Sequence, residues 1–148
     1  SAGFLLPSLV WVREKQPQSY EKIYKVMLPK DYIRYKICGE LGTDASDASS
    51  TGMRDMKNRT WAYGILEKLG IPKDLLVESH ESYEKAGQVT EECAGLTGLK
   101  KGTFVAYGGG DSLMMELGNG MIRGGLMAST IGTACHLTCA LDAPLFVK

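Results

Sequence analysis

Two short stretches hold residue types that could do chemistry. Gly108-Gly109-Gly110-Asp111 sets a carboxylate at the end of a glycine run that follows the β-type segment Thr103 to Tyr107. Further along, Ser129-Thr130-Ile131-Gly132-Thr133 sets a hydroxyl on a second glycine turn. Each glycine carries a backbone-entropy cost, so three in a row point to a sharp turn or to a ligand approaching the main chain closely. The pair suits half of a phosphoryl-transfer site, with the carboxylate standing in a cleft. The same residues also fit ordinary connections: Asp111 as the N-cap of a following helix, and Gly132-Thr133 as a hairpin turn.

Other clusters carry less. Thiolate and imidazole are zinc ligands, but Cys135, Leu137 and Cys139 alternate as on a strand, which sends both thiols to one face and His136 to the other. Two small buried residues on a strand are the expectation there, and no metal ligands are assigned. His80-Glu81 lacks the second histidine of a zinc-protease helix motif and reads as a loop. Gly108-Gly109-Gly110 lacks the Gly-x-Gly-x-x-Gly spacing of a dinucleotide site.

The elements that must position these residues can be read from periodicity and punctuation. Pro7 to Glu40 has helical spacing, with Pro29 opening a new helix and Gly39 stopping it. Thr43 to Thr51, rich in Asp and Ser, reads as a loop that could line a site. Trp61 to Leu69 is helical and closes at Gly70, and Ile71-Pro72-Lys73-Asp74 starts a short turn or helix. Residues 77–89 read as an irregular connector. Thr90 is the N-cap of a helix with early acids Glu91 and Glu92, ending near Gly95 or Gly98. An apolar helix is expected from Ser112 to about Leu117. Gly118-Asn119-Gly120 is the best break in the chain, and Gly125 to Thr130 and Cys135 to Leu141 read as two strands joined at Gly132-Thr133.

Composition excludes several classes. With 148 residues, 44% hydrophobic and 23% charged, the chain has the makeup of a globular protein of about one domain rather than of a disordered one. Seventeen basic residues balance seventeen acidic ones, so no whole-chain field favours nucleic acid or an anionic membrane. The basic run Lys22 to Lys36, interrupted by Asp31, reads as solvated helix faces. The apolar run Gly3 to Val12 is too short to span a bilayer and is broken by Pro7 and Ser8. It does not read as a signal peptide either, and a cytoplasmic location is expected. Cys38, Cys93, Cys135 and Cys139 form no dense disulfide framework, so reduced thiols are expected. The chain opens without methionine and stops soon after a hairpin begins, which suggests a piece of a larger protein.

Five blocks, in order, carry a family resemblance: Gly3-Phe4…Pro7…Trp11-Val12; Met27-Leu28-Pro29-Lys30-Asp31-Tyr32-Ile33-Arg34; Thr43-Asp44…Ser46-Asp47-Ala48-Ser49…Thr51; Gly108-Gly109-Gly110-Asp111; and Ser129-Thr130-Ile131-Gly132-Thr133. The sequence resembles the FGGY family of carbohydrate kinases, nearest in pattern to xylulokinases. The resemblance implies an α/β fold of the actin-like (ribonuclease-H-like) sugar kinases, present in part. Residues 1–120 would be the C-terminal portion of a first, sugar-binding domain, and residues 121–148 the opening hairpin of a second, nucleotide-binding one. Sugar and ATP meet between the two domains in that family.

The same resemblance gives roles to residues. Asp111 would be the general base, removing the proton of a sugar hydroxyl as it attacks the γ-phosphoryl group of ATP. Gly110, Asp111 and Ser112 would contact the sugar, and Gly132 and Thr133 the nucleotide phosphates, with Mg2+ neutralising charge. No residue of the chain is assigned as a metal ligand. The expected partners are a small-molecule sugar, ATP and the remainder of the same polypeptide, with a homodimer left open, and neither nucleic acid nor membrane. Departures bear on the substrate. Ser112-Leu113 follows Asp111 where xylulokinases carry Asn or Gln and small residues, the second turn reads Gly132-Thr133-Ala134-Cys135 instead of Gly-Thr-Ser-Gly, and Ser8 replaces a usual lysine. Glycerol, ribulose or gluconate therefore stand beside xylulose as substrates. A non-catalytic sugar or nucleotide sensor on the same fold is the alternative class.

Overall fold

The computed structural model describes residues 4–133 and 135–145. Gly3 of the first signature block and Ala134 of the second glycine turn lie outside the described residues. The chain packs as two units, Ser1–Gly109 and Gly110–Lys148.

The first unit begins with helix α1 (Leu5–Lys15), in which Pro7 falls in the first turn where no intrahelical amide partner is lost. Gln16, at φ −138°, ends it, and Pro17 opens the short helix α2 (Pro17–Tyr20). The helical spacing read through to Glu40 is thus interrupted, and residues between α2 and α3 (Pro29–Cys38) run without helix apart from a parallel bridge of Val26 to Leu76. Leu28 is extended at ψ 157°, as a residue before proline must be, Pro29 takes the first helical position, and Gly39 closes α3 at φ 79°.

Two segments expected to be irregular are ordered. Within Thr43 to Thr51 the chain forms strand β1 (Thr43–Asp44) and helix α4 (Ala45–Ser49). Asp44 accepts hydrogen bonds from the amides of Ser46 (2.8 Å) and Asp47 (3.2 Å). The short polar side chains that favour a loop are equally suited to capping a helix, and here capping prevails. Residues 77–89 hold β4 (Ser79–His80) and β5 (Lys85–Gln88), so His80 lies on a strand. β4 pairs in parallel with β1, Thr43 opposite Ser79 and Asp44 opposite His80. That pairing joins residues far apart in sequence, which local punctuation does not reveal.

Between them lie the hairpin β2 (Arg54–Asp55) and β3 (Thr60–Trp61), helix α5 (Tyr63–Lys68) and a 3-10 turn at Lys73–Leu75. Trp61 therefore precedes the helix, in a strand, with its indole N–H donating to Val77 O at 2.9 Å. Leu9, Ala48, Met53, Trp61, Leu66, Ile71 and Leu76 form the core, flanked by Leu5, Leu6, Val10 and Ile23. Each large apolar side chain buried there contributes about 1.5–3 kcal/mol. Helix α6 (Glu91–Thr97) is capped by Thr90, whose hydroxyl accepts from the Cys93 amide, and ends at Gly98 at φ 77°. Strand β6 (Phe104–Ala106) pairs antiparallel with β5 across a bulge between Lys85 and Gly87. A side chain at Gly87 would meet Cys38 Cβ at 3.0 Å, so glycine lets β5 lie close on α3.

The second unit holds helix α7 (Asp111–Gly118) and the hairpin of β7 (Met127–Ile131) and β8 (Cys135–Cys139), paired from Met127–Cys139 to Ile131–Cys135. Asp111 is not the N-cap: Gly110 occupies that position, and Asp111 is the first helical residue. Cys135 and Cys139 are exposed rather than buried, on the more open face of a hairpin whose Ala128, Thr130 and Thr138 are half-buried.

Candidate active site

The residues expected to bind sugar are consecutive at the start of α7. Asp111 and Ser112 are both exposed, and Asp111 Oδ1 accepts from the Ser112 amide at 2.6 Å and its hydroxyl at 3.3 Å. The carboxylate sits in the first turn of an eight-residue helix, where the N-terminal end of the helix dipole favours negative charge. Such a group is accessible and, as a carboxylate, of the type that can accept a proton. Gly132 and Thr133, the expected phosphate contacts, lie beyond β7 at the exposed tip of the hairpin, where Ile131–Cys135 is the last strand pair. The structure keeps the two groups on separate elements of the second unit.

In the first unit, a charged cluster went unread in the sequence. The run Lys22 to Lys36 is not simply a solvated face: Asp31 is 0% and Arg34 4% exposed. Arg34 Nη1 donates to Asp31 Oδ1 at 2.9 Å, and Nη2 donates to Gly42 O. Lys30 Nζ bonds Asp31 at 2.9 Å and Asp44 at 2.7 Å and lies 3.7 Å from Asp47. Ser82 Oγ also donates to Asp44, at 3.3 Å. Both cations then reach one backbone atom, the carbonyl of Tyr107, at 3.3 Å from Lys30 Nζ and 3.3 Å from Arg34 Nη1. The Tyr107 ring stacks on His80 at 3.9 Å between centroids, and the Arg34 guanidinium lies 4.6 Å from the same ring's centre. A signal was present: Asp31 and Arg34 are three apart on a helix, the spacing of an intrahelical ion pair. Asp44 and Tyr107, brought in by β1 and β6, carry no such local mark.

Electrostatics within the cluster have a definite sign. Burial alone would push Asp44 up, but hydrogen bonds from Lys30, Ser46 and the Asp47 amide outweigh it and hold the carboxyl below its ordinary 3.8. Burial alone would lower Lys30, but Asp44 and Asp31 raise it above 10.5. Burial raises Asp47, helped by Asp44 and Asp31 and opposed by Lys30. A depressed Asp44 stabilises the fold above 3.8 and loses that contribution as pH falls through its lower folded value; Lys30 contributes below 10.5 and loses it as pH rises beyond. Asp47 works in the opposite sense to Asp44 and offsets part of it. Unfolding followed by Trp61 fluorescence should show a midpoint that drops below pH 3.8, and Asp44→Asn should flatten that acid limb. An unchanged limb in the variant would remove Asp44 as its source.

Comparison with known proteins decides the family. The profile of the "FGGY family of carbohydrate kinases, N-terminal domain" matches residues 1–118. The chain belongs to the FGGY family of carbohydrate kinases. Among FGGY relatives, a xylulose kinase of Staphylococcus xylosus is 36% identical over 132 residues, covering 89% of this chain and 27% of that protein. An autoinducer-2 kinase of Klebsiella pneumoniae is 37% identical over 128 residues, covering 86% of this chain and 24% of its own length. The solved xylulose kinase of Rhodospirillum rubrum superposes with a TM-score of 0.86 at 27% identity, over 93% of this chain and 28% of that one. The fold is accordingly a part of the actin-like FGGY sugar kinase fold, and the chain spans about a quarter of the length of these relatives.

Among the described residues no helix is long and apolar enough to cross a membrane. No group of three or more His, Cys, Asp or Glu among them could hold a metal ion.

Proposed function

We propose that this FGGY chain is the part of an ATP-dependent carbohydrate kinase that supplies the general base, Asp111, and that the substrate is a ketopentose or related polyol. The observation that carries it is the exposed carboxylate of Asp111, set at the first position of α7 directly after three glycines, in a chain 36% identical to a xylulose kinase. A sugar hydroxyl becomes a competent nucleophile only as its proton leaves. A carboxylate within hydrogen-bond reach accepts that proton and aims the oxygen at the γ-phosphorus, while the O–P bond to ADP breaks. The glycine backbone leaves room for a sugar at Gly110, and Ser112 offers a hydroxyl beside it. Gly132 and Thr133 contact the transferring phosphate through an amide and a hydroxyl. Residues 1–120 then belong to the sugar-binding domain and residues 121–148 begin the nucleotide-binding one.

Substrate identity turns on the residue after Asp111. Ser112 stands where xylulokinases carry an amide, and the likeness to an autoinducer-2 kinase makes that kinase's substrate the second candidate. The complete protein, given ATP and a panel of xylulose, ribulose, glycerol, gluconate and autoinducer-2, should release ADP fastest with one ketose or polyol. The 148 residues alone should read background, since so little of the relatives' length is present. Sugar binding by the complete protein with no ADP release on any member of the panel would instead favour a sensor.

A further inference from the structure

A small cavity of about 10 Å3 lies inside the first unit, lined by Asp31 of α3 and Thr43 of β1 together with Leu5, Met53, Trp61 and Leu76. Its volume suits one water molecule and nothing larger. Both of these polar residues are buried, Asp31 at 0% and Thr43 at 2% exposed. Each brings an unsatisfied atom: among the described residues, neither Asp31 Oδ2 nor Thr43 Oγ1 has a hydrogen-bond partner.

The rest of both residues is well supplied. Asp31 Oδ1 accepts from Lys30 Nζ and from Arg34 Nη1, each at 2.9 Å, and the Thr43 amide donates to Glu78 O at 2.9 Å. An ionised carboxylate offers about four lone-pair sites over its two oxygens, so the two cations satisfy only one side of the group. Thr51, a third polar side chain on the cavity wall, has no bond to spare: its hydroxyl donates to Ala48 O at 2.7 Å and accepts from the Met53 amide at 3.1 Å. A buried polar atom left without a partner lowers the folding equilibrium by about 10- to 100-fold, and two would stand here on one wall.

We propose that this cavity is a binding site for a single ordered water, which accepts a hydrogen bond from the Thr43 hydroxyl and donates one to Asp31 Oδ2. A bond to an ionised carboxylate is charge-assisted, and two polar partners are enough to hold a buried water. A divalent cation would need about six oxygens around it, whereas the walls are mostly apolar. Strand alternation explains the division of labour. Thr43 and Asp44 are successive residues of β1 and face opposite ways: Asp44 bonds Lys30 at 2.7 Å, and Thr43 faces the cavity. Asp31 serves both sides, so the water ties α3 to β1 on the face that Lys30 does not reach.

Crystals of the complete kinase, at a resolution that shows ordered solvent, should carry one peak within about 2.6–3.2 Å of both Asp31 Oδ2 and Thr43 Oγ1. Thr43→Val keeps the branched shape and removes only the oxygen. It should empty the peak and lower the apparent Tm by about 2–4 °C, because Asp31 Oδ2 loses the donor that the water supplied. The sign discriminates: were the Thr43 hydroxyl without a partner, exchanging it for a methyl would leave Tm unchanged or raise it. Thr43→Ser, which keeps the oxygen, should retain the peak. Should Thr43→Val not fold, the peak in the parent and in Thr43→Ser decides. A dry cavity, a Thr43 hydroxyl donating straight to Asp31, an ion ringed by oxygens at about 2.0–2.6 Å, or a Thr43→Val protein at least as stable as the parent would each overturn the proposal.

Discussion

Asp111→Asn in the complete enzyme should lower kcat by about 10²–10⁴-fold, the usual contribution of a positioned general base. That corresponds to about 3–5.5 kcal/mol of transition-state stabilisation. The substitution is nearly isosteric, and an amide oxygen can still accept from the Ser112 amide, which bonds Asp111 Oδ1 at 2.6 Å. The start of α7 should therefore keep its shape, and sugar affinity should change by no more than a few-fold. A base that acts only on the chemical step should lower kcat and kcat/KM together in the variant. Turnover within tenfold of the parent would assign the proton to another group.

Asp31→Ala should destabilise the first unit by about 3–5 kcal/mol, the cost of breaking a buried ion pair by removing one partner. Arg34, 4% exposed, would be left with the Tyr107 and Gly42 carbonyls and no carboxylate at bonding distance. The penalty comes from the stranded guanidinium rather than from loss of an intrinsically favourable pair. Asp31→Ala combined with Arg34→Met should accordingly be less destabilised than Asp31→Ala alone, since an apolar replacement strands no charge. Urea unfolding followed at Trp61, buried in the core of this unit, measures both. A single variant within about 1 kcal/mol of the parent would mean that water reaches Arg34 and that the pair is not a dry one.

The two halves of the site differ in how far they could be read from the chain. Gly108-Gly109-Gly110-Asp111 announces itself because three consecutive glycines have few other uses, and the order of five blocks carried the family assignment that the profile match over residues 1–118 bears out. Helix α3 was equally legible, since Pro29 and Gly39 act through the backbone of their own segment. The Asp111 N-cap was a near miss: an acid at a helix start is favoured both as cap and as first residue, and one position separates the two. Lys30, Asp31 and Arg34 look like a solvated helix face because the partners that bury them, Asp44 and Tyr107, lie 14 and 77 residues from Lys30.

What the sequence by itself determined is therefore what depends on local backbone chemistry and on motif order. That covers helices α3 and α6, the glycine turns, the hairpin of β7 and β8, and membership in a sugar kinase family. Tertiary structure alone decided which charges are buried and what they hold. Parallel pairing of β1 with β4 brings Asp44 opposite His80, and the ring of Tyr107 from the end of β6 stacks on that histidine. The physical reason is range: a hydrogen-bonded cap or a glycine turn is satisfied within a few residues, whereas an ion pair survives burial only where the fold brings its distant partners into contact.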